Sequence, residues 1–579
     1  MLLALLAVFL VLGVTQLFLP KPQPPQEQHQ AQQAQQPTPT PAPLTSAGAT
    51  PTPPKAPASA ARVPAKAAAS EADSVLENAS YRVTLTNRGA VVKSWLLIAR
   101  NKNGTYRYTD NAGKPFDLVN QLMVPQVGYP LSLFTYDDEL KKKINEGLYV
   151  KTSADDAKAG TVSYEYSDGD VTVRKTFRAE KDYILNVETE VTRGGQRVQA
   201  FPQWPSGLGD QAAPASFLVT KVDWEQGGNL ERKSAVSGGF MSSKRWIVGG
   251  QTLPGPYNWV AVADQYFAVA FMPQNPKDAV LVTLNNPVEA PKNPEKPNEA
   301  REKANVIGAA VGSANGLTRI NIFGGPKAVD LLESVQSQPG GPDLRGIYDF
   351  GTFSFIARPL FLWLKWTYEH WIPNWGWAIA FLTVVITMAL LPLRLSSMKS
   401  SLRMQRIQPQ VKAITEKYKR YSITDPRRAE MQKEMSALYK KEGVNPVGGC
   451  FPLLLQMPFL IAFYSMLNNA IELRQAGWLW IHDLSAPDPL HLLPILIMVA
   501  MFVQQKSAPQ AGMDPAQQKI LTFMGPIMIG GFSWGVAAGL SIYWALSTLL
   551  GYAQQLVINR SELGQQVKKT MERRATRKR

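Results

Sequence analysis

Chemistry in this chain has few residues to work with. Gly531-Phe532-Ser533-Trp534-Gly535 matches the G-x-S-x-G pattern of a serine nucleophile elbow. Such an elbow needs a strand before it, a helix after it and a histidine later in the chain, and no histidine follows His491. His29, His370, His482 and His491 are the four histidines, and none falls between residues 30 and 369. The one cysteine, Cys450, leaves no internal disulfide, no thiolate cluster for zinc and no Cys-x-x-Cys pair. No G-x-x-x-x-G-K-[ST] loop occurs to cradle a nucleotide. No catalytic residue, metal ligand or cofactor is therefore assigned, and the chain is not read as an enzyme.

What remains is neutral polarity inside apolar sequence. Thr383, Thr387, Gln456, Asn468, Asn469, Gln504, Gln505, Ser541, Ser547, Thr548, Gln554 and Gln555 all fall within or at the ends of long apolar runs. Hydrocarbon penalises such groups unless they pair across helices or share one wet cavity. Both readings stay open on residue type alone.

The elements that carry these residues follow from composition. Residues 2–19, LLALLAVFLVLGVTQLFL, are uncharged over 18 positions and predict a membrane anchor over 1–19. A cleaved signal peptide would carry a basic start and a small-residue exit; the missing basic start leads us to expect a true initiator upstream. Residues 20–75 are rich in Pro, Gln and Ala and predict a disordered tether.

Residues 76–343 read as an all-β domain, with strands at Tyr81–Thr86, Val91–Leu97, Val162–Tyr166, Val171–Phe177, Tyr183–Val191, Trp259–Phe271 and Leu281–Leu284. Asp168 and Gly169 supply a two-residue hairpin signal. Residues 344–373 hold Trp363, Trp366, Tyr368 and Trp371 among leucines, Arg358, Lys365 and Glu369, the pattern of an interfacial amphipathic helix. The bland alternative is a core helix of the β domain.

Five further apolar stretches follow, at 375–395, 450–471, 489–503, 520–532 and 540–558, which makes six spans with the anchor. Charge then sets the topology. The net charge of the chain is +16; Ser396–Val447 carries 12 basic and 5 acidic residues, and Asn559–Arg579 carries 8 and 2. The positive-inside rule places both in the cytoplasm. The expectation is a six-span, N-in/C-in membrane protein with its β domain and the Glu472–His491 loop outside. Residues 374–558 form the membrane core, with a cytoplasmic helical hairpin over 397–447 and a basic tail over 559–579. The hairpin's seam would join Met404, Ile407, Val411, Ile414 and Tyr418 to Met431, Met435, Leu438 and Tyr439. Hairpin and tail are either solvated faces that obey topology or docking surfaces for phosphate-bearing partners.

From Asn445 to Pro458 the chain reads NPVGGCFPLLLQMP. With the ALYKKEGVNPVGGCFP run from Ala437, the ELRQAGWLWIHDLSAPDP loop from Glu472, DPAQQKILTFMGPIM from Asp514 and LSIYWALSTLLGYAQQ from Leu540, this resembles a YidC-type membrane protein insertase of the YidC/Oxa/Alb family, in its Gram-negative form. The motif residues are Asn445, Pro446, Gly448, Gly449, Pro452, Gln456 and Pro458.

The resemblance implies a β-supersandwich periplasmic domain related in fold to sugar mutarotases, an inner-membrane location and a hydrophilic groove open to cytoplasm and lipid. It implies nascent membrane proteins as clients, inserted without nucleotide hydrolysis, alone or with the Sec translocon, and the ribosome and anionic lipids as partners. Groove residues carried over by the resemblance are Thr383, Tyr543 and Trp544. The family's usual arginine, five residues before the proline of the second span, is Thr387 here, and Arg394 is the expected substitute unless Pro392 turns it away. The rival readings are a solute channel or transporter, and an envelope receptor or scaffold whose β domain binds glycan or protein.

Overall fold

The computed structural model describes residues 63–153, 160–234, 249–293, 300–338, 340–421, 425–443, 451–507, 515–562 and 564–566. The expected anchor over 1–19 and residues 20–62 of the expected tether lie outside them; residues 63–75 of that tether are ordered instead, with Lys66 bridging Ser167 and a strand opening at Asp73.

Three antiparallel sheets build the first half. The largest runs, in spatial order, Asn229–Ser234, Lys221–Gln226, Tyr257–Ala263, Phe267–Pro273, Leu317–Pro326, Ile184–Arg193, Val171–Ala179, Thr161–Ser167 and Val150–Lys151. A five-stranded sheet centres on the long pair Ala279–Pro291 and Arg301–Ser313, and a four-stranded one starts at Asp73–Glu77. Alternation explains the packing: Val171, Val173, Lys175 and Phe177 all point inward along one strand. Trp95, Trp204 and Trp259 are fully buried.

Two readings of this half are corrected. The apolar run Trp259–Phe271 is two strands, because Asp264 turns the chain: its Oδ1 accepts from the Tyr266 and Phe267 amides at 2.7 Å each. The hairpin at Asp168 forms one residue later than its sequence signal. Asp168 and Val171 close the loop, so Gly169 and Asp170 are central, and only Gly169 takes a positive φ, 98°. That matches a turn with glycine at its first central position. The all-β expectation also missed helix α1 (Asp138–Glu146), capped by Asp137, whose side chain accepts from the Leu140 amide. Helix α2 (Val329–Gln336) ends the region.

The second half is helical: α3 (Ser354–His370), α4 (Trp375–Ala389), α5 (Leu391–Lys417), α6 (Arg427–Lys441), α7 (Phe451–Asn469), α8 (Leu492–Ser507), α9 (Pro515–Ser533) and α10 (Ala538–Arg560). Among the described residues no single helix is long and apolar enough to cross a bilayer alone; α4 with Leu391–Met404, bent by 52°, passes as a pair. The exposed faces are nevertheless apolar: Val384 and Met388 on α4, Ile495 and Val499 on α8, Phe523 and Ile527 on α9, Leu556 and Val557 on α10. Polar residues point inward instead, the reverse of a helix that faces water. Helices α5 and α6 pack through Met404, Ile407 and Val411 against Met435, Leu438 and Tyr439, the thin seam their spacing predicts.

A polar seam joins the two halves. The Arg474 guanidinium donates to the Thr109 carbonyl at 2.7 Å and lies over the rings of Phe116 and Phe267. Gln265 donates to the Asn468 carbonyl at 2.6 Å, and Asn469 donates to that of Asp349 at 3.0 Å.

Candidate functional site: a buried polar seam between apolar helices

Helices α4 and α10 start side by side: a Cβ built on Gly539 would meet the Ile379 side chain at 3.4 Å. Asn374 caps α4 by accepting from the Trp377 amide, which fixes where that helix begins. With a rise of 1.5 Å per residue along both helices, Thr383 and Tyr543 then stand at one level, and Thr387 and Ser547 at the next. All four are buried.

Tyr543 stacks on Phe463 of α7, ring centroids 4.0 Å apart. Trp544 meets Phe532 of α9 edge-on at 6.1 Å. Thr383 gives its hydroxyl to the Ile379 carbonyl at 2.7 Å, so it contributes bulk and a weak dipole rather than an open donor.

Arg394 lies beyond a break at Leu390, where α4 stops and Pro392 opens α5. The bend does not carry the guanidinium away from the seam. One of its nitrogens comes within 3.7 Å of where a Cβ on Gly551 would sit. The same Cβ would stand 2.8 Å from the Gln504 amide nitrogen of α8, so a side chain at 551 would displace the end of that glutamine. Sequence reading placed Gln504 among the polar residues but missed its meeting with Gly551. The spacing of Tyr543, Ser547, Gly551 and Gln554 at four, four and three residues was the signal that could have found it.

Thr383, Thr387 and Tyr543 thus share the seam between α4 and α10, Arg394 approaches it at Gly551, and Trp544 is instead placed against Phe532 of α9. Asn445, Pro446, Gly448 and Gly449 lie outside the described residues; Pro452, Gln456 and Pro458 fall on α7. Ser533 is no nucleophile in this geometry. It ends a helix, is buried, and gives its hydroxyl to the Gly530 carbonyl at 2.8 Å. Among the described residues no cluster of three or more His, Cys, Asp or Glu could hold a metal.

A β-sandwich region followed by apolar helices that turn polar groups inward defines a two-part membrane-associated protein. Residues 74–363 match the family model described as the YidC periplasmic domain, and residues 366–566 match the one described as 60Kd inner membrane protein. The chain belongs to the YidC family.

Similar proteins include one from Wolinella succinogenes, 40% identical over 304 residues, and one from Cupriavidus necator, 38% identical over 316, both named membrane protein insertase YidC. These alignments cover 52% and 54% of this chain and 51% and 53% of the relatives, so the chain spans about half the length of the curated relatives it matches. A crystal structure of an active YidC insertase with its first transmembrane domain resolved covers 86% of this chain and 95% of its own at 19% identity, with a TM-score of 0.33.

Proposed function

We propose that this chain inserts nascent membrane proteins into the bacterial inner membrane through the polar seam between α4, α5, α8 and α10. The observation that carries the reading is the placement of Arg394, Gln504 and Tyr543 inside helices whose outer faces are apolar.

A client presents an apolar segment that belongs in lipid and a polar flank that must cross it. About 20 apolar residues, at roughly 0.3 to 0.6 kcal/mol each, release on the order of 10 kcal/mol on insertion. That is enough to drive the process with no nucleotide. The barrier lies in the flank, whose backbone and charges meet hydrocarbon. A polar groove open to the cytoplasm shortens that path. Thr383, Thr387, Tyr543 and Trp544 contact the client, and Arg394 attracts an acidic flank in place of an arginine at 387.

In this reading there are six spans, with both termini cytoplasmic and the β domain periplasmic. The α5/α6 hairpin and the basic tail receive the ribosome and anionic lipid, and insertion proceeds alone or with the Sec translocon.

Site-specific photocrosslinking from Thr383 and Trp544 to a stalled, ribosome-bound membrane protein tests the groove: adducts at both positions are expected, and none at either rejects it. Complementation with Arg394→Ala tests the charge. Undiminished insertion of clients with acidic external tails would show that Arg394 does not serve it.

A further inference from the structure

The side chain of Gln554 is 7% exposed, and among the described residues neither its amide nitrogen nor its amide oxygen has a hydrogen-bond partner. Its neighbour is treated differently by the fold. Gln555 donates to the Asn559 side chain at 2.7 Å, and Asn559 in turn donates to the Ser507 carbonyl at 3.2 Å.

Position fixes what Gln554 faces. It lies three residues after Gly551 and four before Ile558, which puts all three on one face of α10. Gly551 is the residue that Arg394 approaches, and Ile558 packs on Leu402 of α5. Gln554 is therefore one turn further along α10 than the Arg394 contact, on the side that faces α5.

A buried carboxamide with both ends open is costly to keep, and natural folds rarely leave one. Its chemistry limits what would complete it. An anion would use only the donor, and a cation only the acceptor. An extended peptide presents an N–H and a C=O side by side and takes both, as one strand does from the next.

We infer that Gln554 is a client-binding contact that pairs with the backbone of a client's extended polar flank as it passes Arg394. The inference rests on the groove reading above. It adds to that reading a group that recognises the flank whatever its sequence, while Arg394 responds to charge.

The test uses the full chain, with a photocrosslinking residue at 554 and, separately, at 544, against a stalled client whose polar flank is labelled. Adducts from both positions, with that at 554 mapping to the flank, are expected. Adducts from 544 without any from 554 overturn the inference and leave the groove standing; adducts from neither, nor from 383, overturn the groove and the inference with it.

Gln554→Leu gives a second readout. Removal of an unpaired buried amide should leave the melting temperature unchanged or raised, while insertion of clients with long polar flanks falls at least fivefold. A merely structural glutamine would lower stability and leave the flank dependence unmoved. Full insertion by a stably folded Gln554→Leu protein would contradict the inference.

Discussion

The rings of Tyr543 and Phe463 lie face to face, with centroids 4.0 Å apart and planes 11° from parallel. This stack ties α10 to α7 at the level of Thr383 on α4. Tyr543→Phe keeps the stack and removes only the hydroxyl. It should insert clients less well with an unchanged melting temperature. Tyr543→Ala removes the ring as well and should cost about 3 to 5 kcal/mol of stability, read by thermal unfolding in detergent.

Arg474 is one polar fastener between the β domain and the helices, beside Gln475, whose amide donates to the Thr109 and Asp110 carbonyls and accepts from the Thr109 hydroxyl. A charged hydrogen bond contributes about 1.5 to 3 kcal/mol, and stacking over two rings adds roughly 0.5 to 2. Arg474→Ala should raise amide hydrogen exchange around Thr109 tenfold or more while strands such as Val171–Ala179 stay protected. Arg474→Lys should recover only part, since an ammonium lacks the planar fork that covers a ring.

Glu472, in the loop after α7, predicts a pH dependence. Burial pushes its carboxyl up to about 7 from an ordinary 4.5, with Lys365, Asp330 and Arg107 as its charged neighbours. The folded state then holds a proton that the unfolded chain releases near 4.5. Stability falls as pH rises from about 4.5 to 7, by at most about 1.4 kcal/mol per unit. Glu472→Gln should flatten that slope in pH-dependent unfolding; an unchanged slope would refute the assignment.

Much of the fold was legible because its signals are local. The strands Tyr81–Thr86 and Val91–Leu97 have the bounds that alternation predicts, and the apolar runs became α4 and α7 to α10. The turn at Asp264 was hidden inside a run of apolar residues, where one aspartate did not look like a break. The seam was less legible, because it depends on which helices meet. Thr383 and Tyr543 were within reach of a family resemblance, whereas the approach of Gln504 to Gly551 depends on the crossing of α8 and α10, which no single segment encodes.

Lys175 buries its amine inside the β domain, where it donates to the carbonyls of Gly89, Ala90 and Leu131 at 2.7 to 3.1 Å. Burial pulls its amine down to about 7 from 10.5. The unfolded chain therefore binds the extra proton between those values, and stability contributed by this group rises as pH goes from about 7 to 10.5. Lys175→Met should abolish that rise. It should also cost on the order of 1 to 3 kcal/mol, because three carbonyls lose their donor; chemical denaturation across pH reads both effects.

Water access to the seam is the most direct test of the whole account. Single cysteines at Thr383, Ser547 and Gly551 in a Cys450→Ser background would be offered a membrane-impermeant thiol reagent from each side of inner-membrane vesicles. The account predicts labelling at Ser547 and Gly551 from the cytoplasmic side and none from the periplasmic side. Protection of all three positions from both sides, in a protein that still inserts clients, would contradict it.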